Sequence, residues 1–315
     1  MTRARDLVLL GGSGLVCAAV ALRGGAYWND VLVLLLVYAG VATAWNLAAG
    51  LSGTSSFGHG LFFGAGAYTA TMLYGSAGVS PWLGLLVGAA VGGALGAGAA
   101  WLGTRYQIGG LSFAVLTLAL AEIAQLFVGS FEPLGASRGL TIAPAANGPA
   151  NLQFASTAAF VATAFAFFAA CMLATIAIAH GATGLRYRSV RENPAAAAAM
   201  GIEPLRVRVS ALAISGALTA IGGVVYAQYL LFVNPSIFGP GVTINVILFT
   251  LIGGIGTVWG PALGTLVVYP IGAWLRGTFG GSLPGVDSLV YGVLVVACIL
   301  GFPRGIVGLF RALRR

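Results

Sequence analysis

The shortage of charged residues constrains this chain more than any other feature of its sequence. Only 7% of its 315 residues are charged and 59% are hydrophobic, whereas a water-soluble domain carries roughly 25% charged residues. So few charges cannot cover the surface of a soluble protein, and the chain therefore needs lipid as its solvent. The 49 glycines fit this environment because small residues let membrane helices approach closely. We therefore predict an all-α, polytopic membrane protein.

Ten apolar segments follow one another along the chain, and most approach the ~20 residues that a helix needs to cross a bilayer. Segments three and eight are rich in glycine, which predicts broken or re-entrant helices, and segments nine and ten are short. Together they predict a single transmembrane domain, residues 1–315, with about ten helices. The segments cover residues 7–22, 31–49, 57–74, 82–103, 108–129, 158–180, 209–233, 242–258, 261–276 and 286–301.

The placement of arginine predicts the orientation in the membrane. With the N-terminus inside, three arginines fall in outside connectors (Arg23, Arg138 and Arg276) and the other 12 of 15 fall inside. Such a bias follows the positive-inside rule, so both termini are expected in the cytoplasm. The first segment also fits a cleaved signal peptide, whose removal would leave the orientation of the later segments unchanged. The inside arginines are Arg3, Arg5, Arg105, Arg186, Arg188, Arg191, Arg206, Arg208, Arg304, Arg311, Arg314 and Arg315.

The basic residues also argue against two functions. All 15 are arginine, and a Walker A phosphate loop needs a lysine, so the chain cannot carry a standard ATP-binding P-loop. The net charge of +8 is spread over short connectors, which argues against binding of nucleic acid. Cys17, Cys171 and Cys298 lie in separate apolar runs and predict neither a disulfide framework nor a metal site. We expect the chain itself to bind no metal ion and no cofactor.

Two connectors are long. Residues 130–157 fall outside and have the composition of a lid, a docking surface or a plain connector. Residues 181–208 fall inside and predict a short helix at 194–200: Asn193 is a favourable N-cap, Pro194 suits the first helical position, and Gly201 can end the helix. A two-turn helix is too short to be stable alone in water. The residues leave open whether it docks a cytoplasmic partner or lies on lipid headgroups.

Several motifs resemble one known family in the order in which they occur. The stretch 191–202 reads Arg-Glu-Asn-Pro-Ala-Ala-Ala-Ala-Ala-Met-Gly-Ile and resembles the cytoplasmic coupling loop of LivM-type permeases, membrane subunits of branched-chain amino acid ABC transporters. The other motifs are Trp-Asn-Leu at 45–47, the Gly/Ser/Thr run at 50–60, Phe-Phe-Gly-Ala-Gly-Ala-Tyr at 62–68, Thr-Leu-Ala-Leu-Ala-Glu-Ile at 117–123 and Gly-Gly-Ile-Gly-Thr-Val-Trp-Gly-Pro at 253–261.

The resemblance implies an assembly in the cell inner membrane. Such a permease pairs with a second permease of the same family, two cytoplasmic ABC ATPases bind below, and a periplasmic substrate-binding protein delivers substrate. ATP would then be used by the partner ATPases, and this chain would not be an enzyme. The resemblance also implies that loop 181–208 couples the permease to an ATPase. The residues expected there are Arg188, Arg191, Glu192, Asn193, Pro194, Ala197, Met200 and Gly201.

Polar residues at membrane depth are candidates for a translocation path, since they are costly to place against lipid. Glu122 and Gln125 lie on one face of segment five, where an interhelical hydrogen-bonded clamp is the alternative. Ser55 and His59 lie in the Gly/Ser/Thr run, where irregular backbone suits either a substrate site or close helix packing. The remaining candidates of the same type are Asn46, Tyr68 and Asn245.

The sequence therefore predicts an ABC importer permease for branched-chain or related amino acids. Permeases of the same family for urea, amides or aromatic acids are an alternative that the resemblance leaves open. A motor-free channel or secondary carrier is another alternative, because the missing P-loop alone does not show that a motor exists.

Overall fold

The computed structural model describes residues 3–23, 25–144, 148–279, 292–293, 296 and 305–312. Two very short strands, β1 (Leu140–Thr141) and β2 (Phe232–Val233), pair antiparallel, and the described chain is otherwise mostly helical. A π-helical turn, Leu47–Leu51, extends the second helix. The α-helices are α1 (Arg3–Arg23), α2 (Ala26–Asn46), α3 (His59–Ala77), α4 (Pro81–Arg105), α5 (Gly110–Ser130), α6 (Thr157–Ala179), α7 (Ala182–Glu192), α8 (Pro194–Ala199), α9 (Pro204–Leu230), α10 (Pro240–Gly253), α11 (Gly260–Phe279) and α12 (Gly305–Ala312).

Six of the described helices are both long enough and apolar enough to cross a membrane: α1, α2 with its π-helical turn, α4, α5, α6 and α9. Helix α10 is apolar but has only 14 residues. The tenth predicted segment, 286–301, lies almost wholly outside the described residues. The figure of about ten helices, and the cytoplasmic position of both termini, therefore stay predictions.

Helices α3, α4 and α9 form a tightly packed unit, with α2 against the same central helix α9. Every fourth residue of α4 is glycine, from Gly84 to Gly96, and this stripe is buried. A methyl group built on Gly92 would lie 2.5 Å from the Ala220 methyl and 2.6 Å from the Gly216 carbonyl oxygen. The two helices thus touch backbone to backbone, which is how membrane helices gain packing energy without a hydrophobic driving force.

Two breaks interrupt the bundle. Residues 53–58, between the π-helical turn and α3, have no regular secondary structure, and residues 254–259 separate α10 from α11. Gly53 and Gly256 both have φ near +74°, a left-handed conformation that favours glycine. The second break lies against the π-helical turn that precedes the first break, because the backbone nitrogen of Gly256 is 2.7 Å from where a Gly50 side chain would begin.

The chain also re-enters the bundle before α10. After β2, the 3₁₀ turn Pro235–Phe238 packs against the first half of α3, where its Phe238 carbonyl lies 2.4 Å from a methyl built on Gly60. Strand β1 of the 130–157 connector pairs with β2, and Ile142 N–H donates to the Leu231 carbonyl. The long connector is thereby attached to the C-terminal end of α9.

One end of the bundle gathers the start of α1, the 181–208 connector and both breaks. The buried carboxylate of Asp6 accepts from Trp259 Nε1 at 3.1 Å and is 2.9 Å from His180 Nε2. Gly305, at the start of α12, packs against Gly254. This arginine-rich end, hereafter the inner end, is the one that the positive-inside rule predicts to face the cytoplasm.

Candidate functional site

The exposed helix α8 has the caps that its sequence predicts. Asn193 Oδ1 accepts from the backbone N–H groups of Ala195 and Ala196 at 3.1 and 3.0 Å. At the other end Gly201 has φ +82°, its N–H donates to Ala198, and the Ile202 N–H donates to Ala197. This pair of bonds is a Schellman motif, which satisfies carbonyls that the helix leaves free. The helix runs from Pro194 to Ala199, one residue shorter than the predicted 194–200.

One face of α8 holds it to the bundle and the other is free. Ala197 is 3% exposed and packs in a cluster with Tyr187, Val190, Val207 and Ala211. The rest of the α8 face lies open to solvent, and the Met200 side chain just beyond it is 76% exposed. The cluster fixes the position and orientation of α8. The alanine surface of α8, Pro194 and Met200 stay exposed and are available for a partner.

Helix α7 ends in two arginines that contact the bundle. Arg188 Nη2 donates to the Ala179 carbonyl at 3.1 Å, and Arg191 Nη1 donates to the Gly50 carbonyl at 2.6 Å. Arg191 also forms a 2.6 Å ion pair with Glu192, whose side chain is 71% exposed. The position of Arg191 ties the α7–α8 corner to the π-helical turn.

Arg191 lies between the two breaks. Its Cγ is 2.8 Å from where a Gly53 side chain would begin, and its Nη1 is 3.1 Å from the same point on Gly256. Asn46, at the end of α2, holds the second break from within the bundle: its Nδ2 donates to the Thr257 carbonyl at 2.9 Å, and its Oδ1 accepts from the Gly256 N–H at 2.7 Å. Asn46 is fully buried, so the structure places this path candidate in an interhelical clamp.

His59 is fully buried at the start of α3. Its Nε2 is 2.8 Å from Ser215 Oγ, and Ser215 in turn donates to the Ala44 carbonyl at 2.7 Å. Because the serine proton is used on Ala44, His59 Nε2 must be the donor to Ser215. His59 Nδ1 has no partner among the described residues. The histidine thus connects α3 with α9 and α2.

The other path candidates lie apart from one another. Tyr68 is buried against Phe238, and its hydroxyl has no partner among the described residues. Gln125 lies beside Gly239 of the re-entrant turn, and its Oε1 is likewise without a described partner. Glu122 is half-buried on α5, and Asn245 lines a small cavity between α10 and α11. The structure therefore does not gather the candidates into one site.

A cavity of about 320 Å³ at the inner end brings Ser55 together with residues that the sequence did not single out as a site. It lies between the 53–57 break, the α4–α5 turn and the first turns of α9, where Arg208 lines it. From the sequence, Arg208 is only one of the inside arginines that predict the orientation in the membrane. Nothing in its local pattern distinguishes it from Arg206, because the difference between them is tertiary.

Comparison with known proteins agrees with this architecture. Residues 27–299 match the family described as branched-chain amino acid transport system / permease component. The chain belongs to this family. It is 24% identical over 310 residues to the high-affinity branched-chain amino acid transport system permease protein LivM of Escherichia coli, covering 90% of this chain and 70% of that protein. LivM of Salmonella typhimurium matches with the same identity and coverage.

A shorter match is to a permease named for a different solute. Over 131 residues the chain is 31% identical to the nucleoside ABC transporter permease protein NupC of Lactococcus lactis, covering 38% of this chain and 39% of that protein. No solved structure gives a significant match. The chain is thus an ABC transporter permease, a membrane-embedded transport component.

Proposed function

We propose that this permease imports branched-chain or related amino acids across the cell inner membrane, driven by separate ATPase subunits that engage α8. The observation that carries the proposal is the position of Arg191, which connects the exposed α7–α8 corner to both breaks in the bundle. In this proposal a movement of α8 reaches the irregular backbone at Gly53 and Gly256 through Arg191. The apolar cluster around Ala197, which includes Leu51 and contacts Val258, provides a second route.

The α8 surface supports the contact with an ATPase. Capping at both ends and the anchor at Ala197 hold a helix that would be unstable alone. Its exposed face carries only small side chains until Met200, a flexible residue well suited to adaptable contacts. In this proposal Ala197, Asn193 and Gly201 position the helix, and Pro194 and Met200 contact the partner.

The breaks support a path for the solute. Irregular backbone within a bundle survives where it is buried in protein or lines a cavity, and Gly53, Thr54, Ser55 and Phe57 line the inner-end cavity of about 320 Å³. Ser55 belongs to this path in our proposal, with Tyr68, Glu122 and Gln125 nearer the other end of the bundle. His59, Asn46 and Asn245 support the surrounding helices.

The proposed partners follow from the family. The permease would pair with a second permease, bind two cytoplasmic ATPases through α8, and receive solute from a periplasmic binding protein, with both termini in the cytoplasm. The 130–157 connector lies at the opposite end from α8, which suits contact with the binding protein. Amino acids are the favoured solute because the LivM relatives match 90% of the chain. Nucleosides are the second candidate, because NupC matches at higher identity over a shorter region.

Uptake by cells carrying the complete gene set tests the proposal. The permease is expressed with its partner genes in a strain that lacks its own leucine and uridine uptake, and radiolabelled leucine and uridine are supplied separately. We expect leucine uptake that disappears when the ATPase genes are omitted. Uridine uptake alone would favour the nucleoside candidate, and leucine uptake that persists without the ATPases would show a motor-free carrier.

A further inference from the structure

The inner-end cavity has the size and the mixed lining of a small-molecule site. Its volume of about 320 Å³ lies at the lower end of the range typical of ligand pockets, roughly 300–1,000 Å³. Hydroxyl groups line one part and apolar side chains another. The lining includes Thr54, Ser55, Thr104, Ile108, Phe113 and Arg208.

Arg208 is the charged group of this cavity. It is half-buried and has no hydrogen-bond or ion-pair partner among the residues that the structure describes. Its neighbour Arg206 differs: the Arg206 side chain is 85% exposed and its Nε pairs with Glu203 at 2.6 Å. Two residues along a helix turn through about 200°, so the two arginines point to opposite faces of α9. The unpaired Arg208 therefore lies on the side of α9 that lines the cavity.

A guanidinium in such a place is matched best by a carboxylate. Its planar fork forms two parallel hydrogen bonds to the two oxygens, and such charge-assisted pairs are roughly twice as strong as neutral ones. The start of α5 adds to the anionic preference, because Gly109 and Gly110 line the cavity and no side chain caps this helix N-terminus. Ser55, also without a described partner, offers a hydroxyl beside them.

The apolar part of the cavity suits the rest of an amino acid. Ile108, Leu111 and Phe113 line it, and a branched aliphatic side chain gains roughly 25 cal/mol for each Å² that leaves water. A nucleoside carries no carboxylate, so its binding would leave the guanidinium unpaired, which strongly penalises a substrate that lacks the matching group.

We propose that Arg208 binds the carboxylate of the transported solute in this cavity, which makes the solute a small apolar amino acid or a related carboxylic acid. The assignment rests on the proposed function, because it takes the cavity to be part of the import path. Gly53 links the cavity to coupling: it lines the cavity while its α-carbon abuts Arg191. Movement of α7–α8 thus displaces the wall beside the bound carboxylate.

A photoreactive leucine tests the assignment. A diazirine analogue of leucine, which keeps its carboxylate, is irradiated with the complete transporter complex in phosphatidylcholine nanodiscs, and the adducts are mapped by mass spectrometry. We expect adducts within 53–57 and 104–114. Excess leucine should compete, and leucinamide, which lacks the free carboxylate, should compete at least about tenfold more weakly.

Two variants on one helix distinguish binding in the cavity from a general effect of removing positive charge. Arg208→Gln is expected to lower the adduct yield at least about tenfold and to abolish the difference between leucine and leucinamide, whereas Arg206→Gln should leave both unchanged. Arg208→Lys should retain part of the yield, since it keeps the charge and loses the two-pronged geometry. If Arg208→Gln fails to assemble, the leucinamide competition on the unaltered complex decides the question.

Three results would overturn the assignment. They are adducts in the cavity that survive Arg208→Gln, leucinamide competing as well as leucine, and adducts lost when phosphatidylglycerol replaces part of the phosphatidylcholine. The last would show that Arg208 holds an anionic lipid headgroup. Leucine uptake by the unaltered complex is measured separately: its absence contradicts the proposed function, while uptake without Arg208-dependent adducts contradicts the Arg208 assignment alone.

Discussion

Replacing Arg191 with methionine should uncouple ATP hydrolysis from transport. Methionine keeps an unbranched stem against Gly53 and removes the guanidinium that donates to the Gly50 carbonyl. The neighbouring change Glu192→Gln is the matched control, because it removes the ion pair of Arg191 and leaves the bond to Gly50 in place. The two variants therefore separate the contact with the bundle from the contact at the surface.

The expected magnitudes differ because the two contacts differ in exposure. A hydrogen bond from a charged donor contributes about 1.5–3 kcal/mol, and its loss leaves the Gly50 carbonyl without this partner. That corresponds to about a 10- to 150-fold weaker attachment of α7 to the π-helical turn. The pair with the largely exposed Glu192 contributes about 0.2–1 kcal/mol at most. Glu192→Gln should therefore change the attachment less than about fivefold.

The assay measures solute uptake per ATP hydrolysed in proteoliposomes that contain the complete complex. Arg191→Met should assemble with the ATPases through an intact α8 and hydrolyse ATP, while uptake per ATP falls about tenfold or more. Glu192→Gln should stay close to the unaltered complex in both measurements. An unchanged ratio in Arg191→Met would refute the role of Arg191, and an equal loss in both variants would show that the surface ion pair, not the contact with the break, carries the coupling.

Three further changes test the packing and the caps. Gly92→Leu should overpack against α9, destabilise the protein by about 1–3 kcal/mol or more and lower its thermal unfolding midpoint. Gly98→Leu on the same helix meets nothing within 4 Å and should leave the midpoint unchanged, so equal effects of the two changes would contradict the contact. Asn193→Ala should cost about 1 kcal/mol of α8 stability and speed amide hydrogen exchange at its first turn, and Asn193→Asp should not. Ser215→Ala should leave His59 Nε2 without its acceptor and cost about 1–3 kcal/mol, so an unchanged unfolding midpoint would contradict that bond.

Local chemistry determined the parts of this structure that sequence could predict. The caps of α8 depend on Asn193 and Gly201, residues within a few positions of the backbone groups they serve, so a short window of sequence holds all the information. The apolar segments likewise mark the long helices, because burial in lipid acts on each residue separately. Helix α9 begins at Pro204 rather than at residue 209 because a helix can extend into water past charged side chains, which hydropathy alone does not register.

Tertiary partners determined the parts that sequence could not predict. Asn46 and Thr257 are 211 positions apart, and nothing near Asn46 indicates that its amide closes on a second break. The carbonyl bound by Arg191 is 141 positions away. The opposite surroundings of Arg206 and Arg208 also arise only when α9 packs beside the α4–α5 turn. A single sequence gives residue types and local periodicity, and neither shows which distant residue a side chain contacts.

The bundle contains two kinds of junction that should respond differently to a force on α8. Between α4 and α9 the backbones touch through glycine, and a small displacement there drives carbonyl oxygens into methyl groups. At the breaks, residues 53–58 and 254–259 have no helical ladder to disrupt, and such segments absorb backbone rotation at low cost. Arg191 contacts the second kind and not the first. Through Arg191, a movement of α7 is therefore delivered to backbone that yields easily, next to the cavity that Arg208 lines.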